Sequence, residues 1–119
     1  MNEGDYVRTK DGTLWKPETF YDEGDVYIFD EFFEYSKDEI KSSPRIIKLV
    51  QQGDYVNGYK VFNIETSYIL DKNNNRIGEK ISLDIGNDMY GSTIYIEEKD
   101  IKTIVTKEQF ESMEYKVGK

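Results

Sequence analysis

The hydrophobic positions along this chain come in short bursts, most of them two to six residues long and separated by turn-forming residues, which is the signature of hairpins. Tyr6 and Val7 open a strand, Asp11-Gly12 forms a turn, and Leu14-Trp15 returns, so residues 4–16 read as a first hairpin. Pro17 blocks further pairing in a sheet interior. Gly24-Asp25 is a second turn and leads into the β-prone run Val26-Tyr27-Ile28-Phe29. Residues 30–40 suit either state: Phe33, Ser36 and Ile40 recur at helical spacing, whereas Phe33 and Tyr35 alternate as in a strand. Ser43-Pro44 then signals a helix start, with Ser43 as N-cap, Ile46, Ile47, Leu49 and Val50 as the apolar face, and Gly53 as the stop.

The second half continues in hairpins. Tyr55-Val56, the favoured turn pair Asn57-Gly58, and the run from Tyr59 to Glu65 form one. Tyr68-Ile69-Leu70, a turn over residues 72–75 and a strand over 76–85 form another. Residues 86–91 read as a loop, and 93–96 and 101–105 as strands split by polar residues 97–100. Thr106-Lys107-Glu108-Gln109 is a capping box that opens a helix reaching about Met113. The whole therefore predicts a mostly β chain, with α+β as the nearest variant. We expect a small SH3-like or related open barrel of hairpins, with short helices near 44–51 and 107–113, over residues 1–119 as a single domain. One internal echo stands out: Gly4-Asp5-Tyr6-Val7 recurs as Gly53-Asp54-Tyr55-Val56. Its single recurrence before a hairpin points to a repeated local geometry rather than a solenoid.

Charge changes the picture. The net charge is −8, and it is concentrated. Between Glu18 and Glu39 stand nine acidic residues against the single base Lys37, while the rest of the chain balances at fifteen of each sign. The same stretch holds Phe20, Tyr21, Tyr27, Phe29, Phe32, Phe33 and Tyr35, seven of the 17 aromatics. An acidic aromatic segment repels phosphates and attracts a basic protein surface. Its simplest structural account is a half-buried strand with rings inward and carboxylates outward. The candidate partner-binding residues are Asp22, Glu23, Asp25, Asp30, Glu31, Glu34, Asp38 and Glu39, with Tyr27, Phe32 and Tyr35 as ring anchors.

Other chemistry finds little support. With no Cys and no His, the chain lacks a thiolate, an imidazole base and the usual zinc ligands, so we expect no enzyme, cofactor or metal site. Asp71-x-Asn73-x-Asn75 resembles the start of a calcium loop, but Arg76 stands where Gly is needed and Ser82 where Glu is needed, which leaves an Asn-rich turn. The adjacent carboxylates Asp30-Glu31 and Glu97-Glu98 would point to opposite faces of a strand, which does not suit paired acid–base work. Residues 86–91 lack the Lys-Ser/Thr ending of a phosphate loop. Lys99, Lys102 and Lys107 lack the interleaved rings of a single-strand platform, so no direct nucleic-acid contact is expected. No apolar run approaches membrane-helix length, and the first ten residues lack the apolar core of a signal peptide, so the expected location is the cytoplasm.

Two stretches carry a resemblance. One is Ser42-Ser43-Pro44-Arg45-Ile46-Ile47-Lys48-Leu49-Val50-Gln51-Gln52-Gly53-Asp54-Tyr55-Val56-Asn57-Gly58-Tyr59-Lys60-Val61. The other is Ile101-Lys102-Thr103-Ile104-Val105-Thr106-Lys107-Glu108-Gln109-Phe110-Glu111-Ser112-Met113. Together they resemble small phage and prophage proteins of Firmicutes, over about half of the chain; the acidic aromatic segment lies outside the match. The resemblance supplies no catalytic residue. It implies a stoichiometric inhibitor of host machinery in the bacterial cytoplasm, such as an anti-CRISPR protein. Added to the charge, it implies a DNA mimic that binds a basic nucleic-acid-binding host protein, a CRISPR nuclease foremost. The alternative is a phage structural or assembly protein that self-associates or docks on another virion protein.

Overall fold

The computed structural model describes residues 1–117, with side chains described through Ser112. The chain divides into two compact units, Met1–Val50 with Thr106–Lys119, and Gln51–Val105.

The first unit contains two antiparallel sheets. In one, β1 (Tyr6–Thr9) lies between β2 (Leu14–Trp15) and the later β6 (Ile40–Ser43). The other is a meander of β3 (Phe20–Asp22), β4 (Val26–Phe29) and β5 (Phe33–Ser36). The ambiguous residues 30–40 are thus a turn, a strand and one 3-10 turn at Lys37–Glu39. Val7, Phe29, Ile47, Leu49 and Val50 are buried in this unit. So is Arg8, whose guanidinium donates to Leu49 O (3.0 Å) and to both Glu108 carboxylate oxygens (3.3 and 2.9 Å). That ion pair fastens α1 (Lys107–Val117) to the N-terminal strand.

The start of α1 follows the expected capping box. Thr106 Oγ1 accepts the Gln109 N–H (3.3 Å), and Gln109 Oε1 accepts the Thr106 N–H (3.1 Å), so two otherwise orphaned donors are satisfied. Thr106 Oγ1 also donates to Gly12 O (2.7 Å), which places the first hairpin turn against the helix start.

The helix expected over 44–51 is replaced by a single 3-10 turn at Ile46–Leu49. Ser43 does not cap it: Ser43 ends β6, paired with Tyr6, and its Oγ accepts the Arg45 N–H (3.1 Å). Arg45 takes the capping position in extended geometry, so the ladder to β1 holds the chain straight until one turn before Val50.

The second unit also has two three-stranded sheets. β7 (Tyr55–Val56) lies between β8 (Tyr59–Lys60) and β12 (Ile104–Val105). β9 (Asn63–Leu70), β10 (Arg76–Asn87) and β11 (Thr93–Glu97) form the largest sheet, with β10 central. Asn57 and Gly58 both have positive φ (52° and 84°), as a two-residue type I′ hairpin requires. Asn57 also works as a staple: its Oδ1 accepts from Lys102 N (2.7 Å) and Thr103 N (3.1 Å), and its Nδ2 donates to Asp100 O (2.8 Å).

The repeated Gly-Asp-Tyr-Val is one local design used twice, once in each unit. Gly4 and Gly53 both have positive φ (86° and 96°). Asp5 and Asp54 are both buried, and each carboxylate accepts the backbone N–H three residues earlier (Asn2, 2.9 Å; Gln51, 2.7 Å). Val7 and Val56 then enter their respective cores.

The mostly β expectation holds, with small antiparallel sheets and few helices. Among the described residues the sheets do not close into a barrel. Ten of the twelve strands among the described residues have five residues or fewer, and each of the sheets they form keeps two edges.

Candidate functional site

The acidic aromatic segment folds as the β3–β4–β5 meander. Its register pairs Phe20 with Phe29 and Phe29 with Phe33, and Tyr27 with Asp22 and Tyr35. Because side chains alternate along a strand, one face therefore collects Phe20, Tyr27, Phe29, Phe33 and Tyr35. Trp15 packs into this cluster, with ring centroids 5.4 Å from Phe29, 6.3 Å from Phe33 and 6.2 Å from Tyr35. Phe29 is fully buried at its centre. Edge-on ring pairs of this kind add about 0.5–1.5 kcal/mol each beyond the area they bury. The opposite face presents Tyr21, Ile28 and Glu34 in one cross-strand row.

The carboxylates do not form a line along one strand. Of the candidate acids only Asp22 and Glu34 lie within strands. Glu23 and Asp25 occupy the β3–β4 turn. Asp38 and Glu39 sit in the 3-10 turn beyond β5, whose Lys37 N–H donates to Asp25 O (3.0 Å) and so brings Asp38 to the same end. Asp30 and Glu31 occupy the β4–β5 turn at the other end, roughly 15 Å away at strand rise. The charge is thus gathered at two ends of an aromatic sheet.

Two of these acids are engaged by partners within the chain. Asp30 Oδ1 accepts the Glu18 N–H (2.8 Å) and the Thr19 N–H (3.1 Å), and Oδ2 accepts Trp15 Nε1–H (3.2 Å). These bonds, that from Thr19 first, hold the Asp30 carboxyl below the usual aspartate range. Asp22 pairs with Lys37 Nζ (2.6 Å), which depresses the Asp22 pKa and raises that of Lys37. The same Nζ stands 4.7 Å from the Tyr27 ring centroid. Glu23, Asp25, Glu31, Glu34, Asp38 and Glu39 are exposed. Of the ring anchors, Tyr27 and Tyr35 are half-buried in the cluster, while Phe32 is 84% exposed at the β4–β5 tip.

That tip is unusual backbone. Asp30 (φ 51°) and Glu31 (φ 68°) are consecutive left-handed residues without a glycine, and the Phe32 N–H closes the turn onto Phe29 O (3.1 Å). Left-handed geometry costs an L-residue roughly 1–2 kcal/mol. The three hydrogen bonds to the Asp30 carboxylate offset that cost at the first position.

Two clefts are bordered by residues that the Asp30 hydrogen bonds tie together. One, about 370 Å³, is lined by Glu3, Glu18, Thr19, Phe20 and Tyr21. The other, about 230 Å³, is lined by Thr13, Trp15, Asp30, Phe33 and Tyr35. Sequence reasoning missed Trp15, Glu18 and Phe33 as members of this surface. The first two lie outside the charge run or at its edge, and are joined to the meander by the Asp30 hydrogen bonds and, for Trp15, by its ring contacts.

Among the described residues no group of three or more carboxylates converges as a metal site would require. Asp71 closes its own turn instead, accepting the Asn73 and Asn75 N–H groups (2.8 and 2.9 Å). No helix among the described residues is long and apolar enough to cross a membrane. No protein-family model, curated protein or solved structure matches the chain.

Proposed function

We propose that this chain is a binding protein whose acidic aromatic meander docks on the basic nucleic-acid-binding surface of another protein and occupies it in place of DNA. The observation that supports the reading most is the exposed set of Glu23, Asp25, Glu31 and Asp38 at the two ends of the ring-bearing sheet, with Phe32 at its tip and Glu34 exposed on the face opposite the rings. Carboxylates at the two ends would steer and orient the partner, and the rings between them would supply contact area. The resemblance to phage proteins makes a host defence nuclease, a CRISPR nuclease foremost, the favoured partner, met in the bacterial cytoplasm.

The test is affinity capture from bacterial lysate by the wild type and by a variant with those five acids changed to Gln or Asn. Asp22 and Asp30 are left intact because they hold the meander together. The reading expects the wild type to capture a nucleic-acid-binding protein that duplex DNA displaces, and the variant to lose it. Equal capture by both proteins, or capture indifferent to DNA, would overturn it.

One observation favours a second reading, assembly. β9 is an eight-residue edge strand, and Ile69, Leu70 and Ile77 at its hairpin end are each at least half exposed. Edges of this kind pair with other chains. Capture of virion components, or of further copies of the chain itself, would move the assignment there.

A further inference from the structure

The cleft lined by Thr13, Trp15, Asp30, Phe33 and Tyr35 has a composition that selects its occupant. Three of its walls are rings. Trp15 stands at 65° to Phe33 and 51° to Tyr35, and Phe33 and Tyr35 project from the same face of β5. Ring faces are electronegative and attract cations that are desolvated against them. Asp30, whose carboxylate is fixed by three N–H donors, one of them the Trp15 indole, completes the lining. Oδ1 receives two of those bonds and Oδ2 only one, which leaves Oδ2 with room for another donor.

The same sheet already shows this chemistry satisfied internally. Lys37 places its ammonium over the Tyr27 ring while it bonds Asp22, an aspartate on the same face. The cleft repeats that combination of ring and carboxylate around an open space of about 230 Å³. A single carboxylate is too few for a bound metal ion, so the fitting ligand is an organic cation. A guanidinium sheds water more readily than an ammonium and stacks on ring faces, so it suits an aromatic-walled cleft better.

We infer that the Trp15–Phe33–Tyr35–Asp30 cleft receives the guanidinium of an arginine projecting from the basic partner. This inference rests on the docking reading above for its source of arginine, but the cleft can be tested by itself. Trp15 is the only tryptophan, so its indole N–H resonance reports the site directly. The wild type is titrated with N-acetylarginine amide, with the neutral isostere N-acetylcitrulline amide, and with N-acetyllysine amide. The Phe33→Ala variant, which alters a residue already 52% exposed, is titrated in parallel. The expected result is a saturable shift of the Trp15 signal with the arginine compound, at least tenfold weaker with the lysine compound. The citrulline compound should give none, and Phe33→Ala should weaken arginine binding at least tenfold. No shift, an equal shift with citrulline, or tighter binding of lysine would overturn the assignment. Failure here with DNA-displaceable capture intact removes the cleft and leaves the docking surface standing; the reverse pattern removes the docking surface and leaves the cleft.

Discussion

Gly12 shows how little freedom single positions have. Its φ is +90°, and a Cβ placed there would lie 2.5 Å from Thr106 Oγ1 and 2.6 Å from Glu108 Cβ. Left-handed strain and overpacking add, so Gly12→Ala should cost roughly 2–4 kcal/mol. A fall in the urea midpoint with an unchanged slope would show it; a midpoint within error of wild type would mean that the turn does not sit against the helix start. The sequence displays Asp11-Gly12 as a turn, and the turn forms. The contact with Thr106 is invisible there, because 94 residues separate the partners. Asp30 teaches the same lesson in reverse: it reads as one acid in an acidic run, yet its carboxylate works inward.

At the scale of elements, the turns were legible where a glycine marked them, as at Asp11-Gly12 and Asn57-Gly58, and the terminal helix where the capping box marked its start, but β3 ahead of the Gly24 turn was not read as a strand and the run expected over 59–65 is split between β8 and β9. The β4–β5 turn was not, because two acidic residues take the left-handed positions that glycine or asparagine would advertise. Ser43-Pro44 misled for a different reason: strand pairing with β1 overrode a local helix signal.

The Asp30 clip gives the meander a pH dependence with a defined sign. The folded-state pKa is depressed, so the stabilisation is present above the ordinary aspartate pKa of about 4 and is lost as pH falls through the lower folded value. Asp22, depressed by Lys37, acts in the same direction. Acid titration should therefore shift the Trp15 emission to longer wavelength below about pH 4, and Asp30→Ala should show the shifted emission already at neutral pH. An unchanged spectrum in Asp30→Ala would remove the clip from the account.

At the scale of the whole molecule, the charge imbalance is a property of the first unit more than of the second: fifteen acidic against ten basic residues, compared with nine against six. Composition made that asymmetry readable from the start, together with the aromatic density that accompanies it. What it left hidden was the arrangement: carboxylates collected at two ends, and rings drawn to one face around Trp15. The second unit carries its exposed apolar side chains elsewhere, at the β9–β10 hairpin end and at Met89 and Tyr90 in the β10–β11 connection.

The most direct test of the docking claim is the salt dependence of the captured complex. Affinity of wild type for its partner would be measured between roughly 50 and 200 mM salt, beside the variant neutralised at Glu23, Asp25, Glu31, Glu34 and Asp38. A charge-matched interface predicts that wild-type affinity falls at least about tenfold across that range, and that the variant is weaker and nearly flat. Equal, salt-insensitive affinities for the two proteins would contradict it.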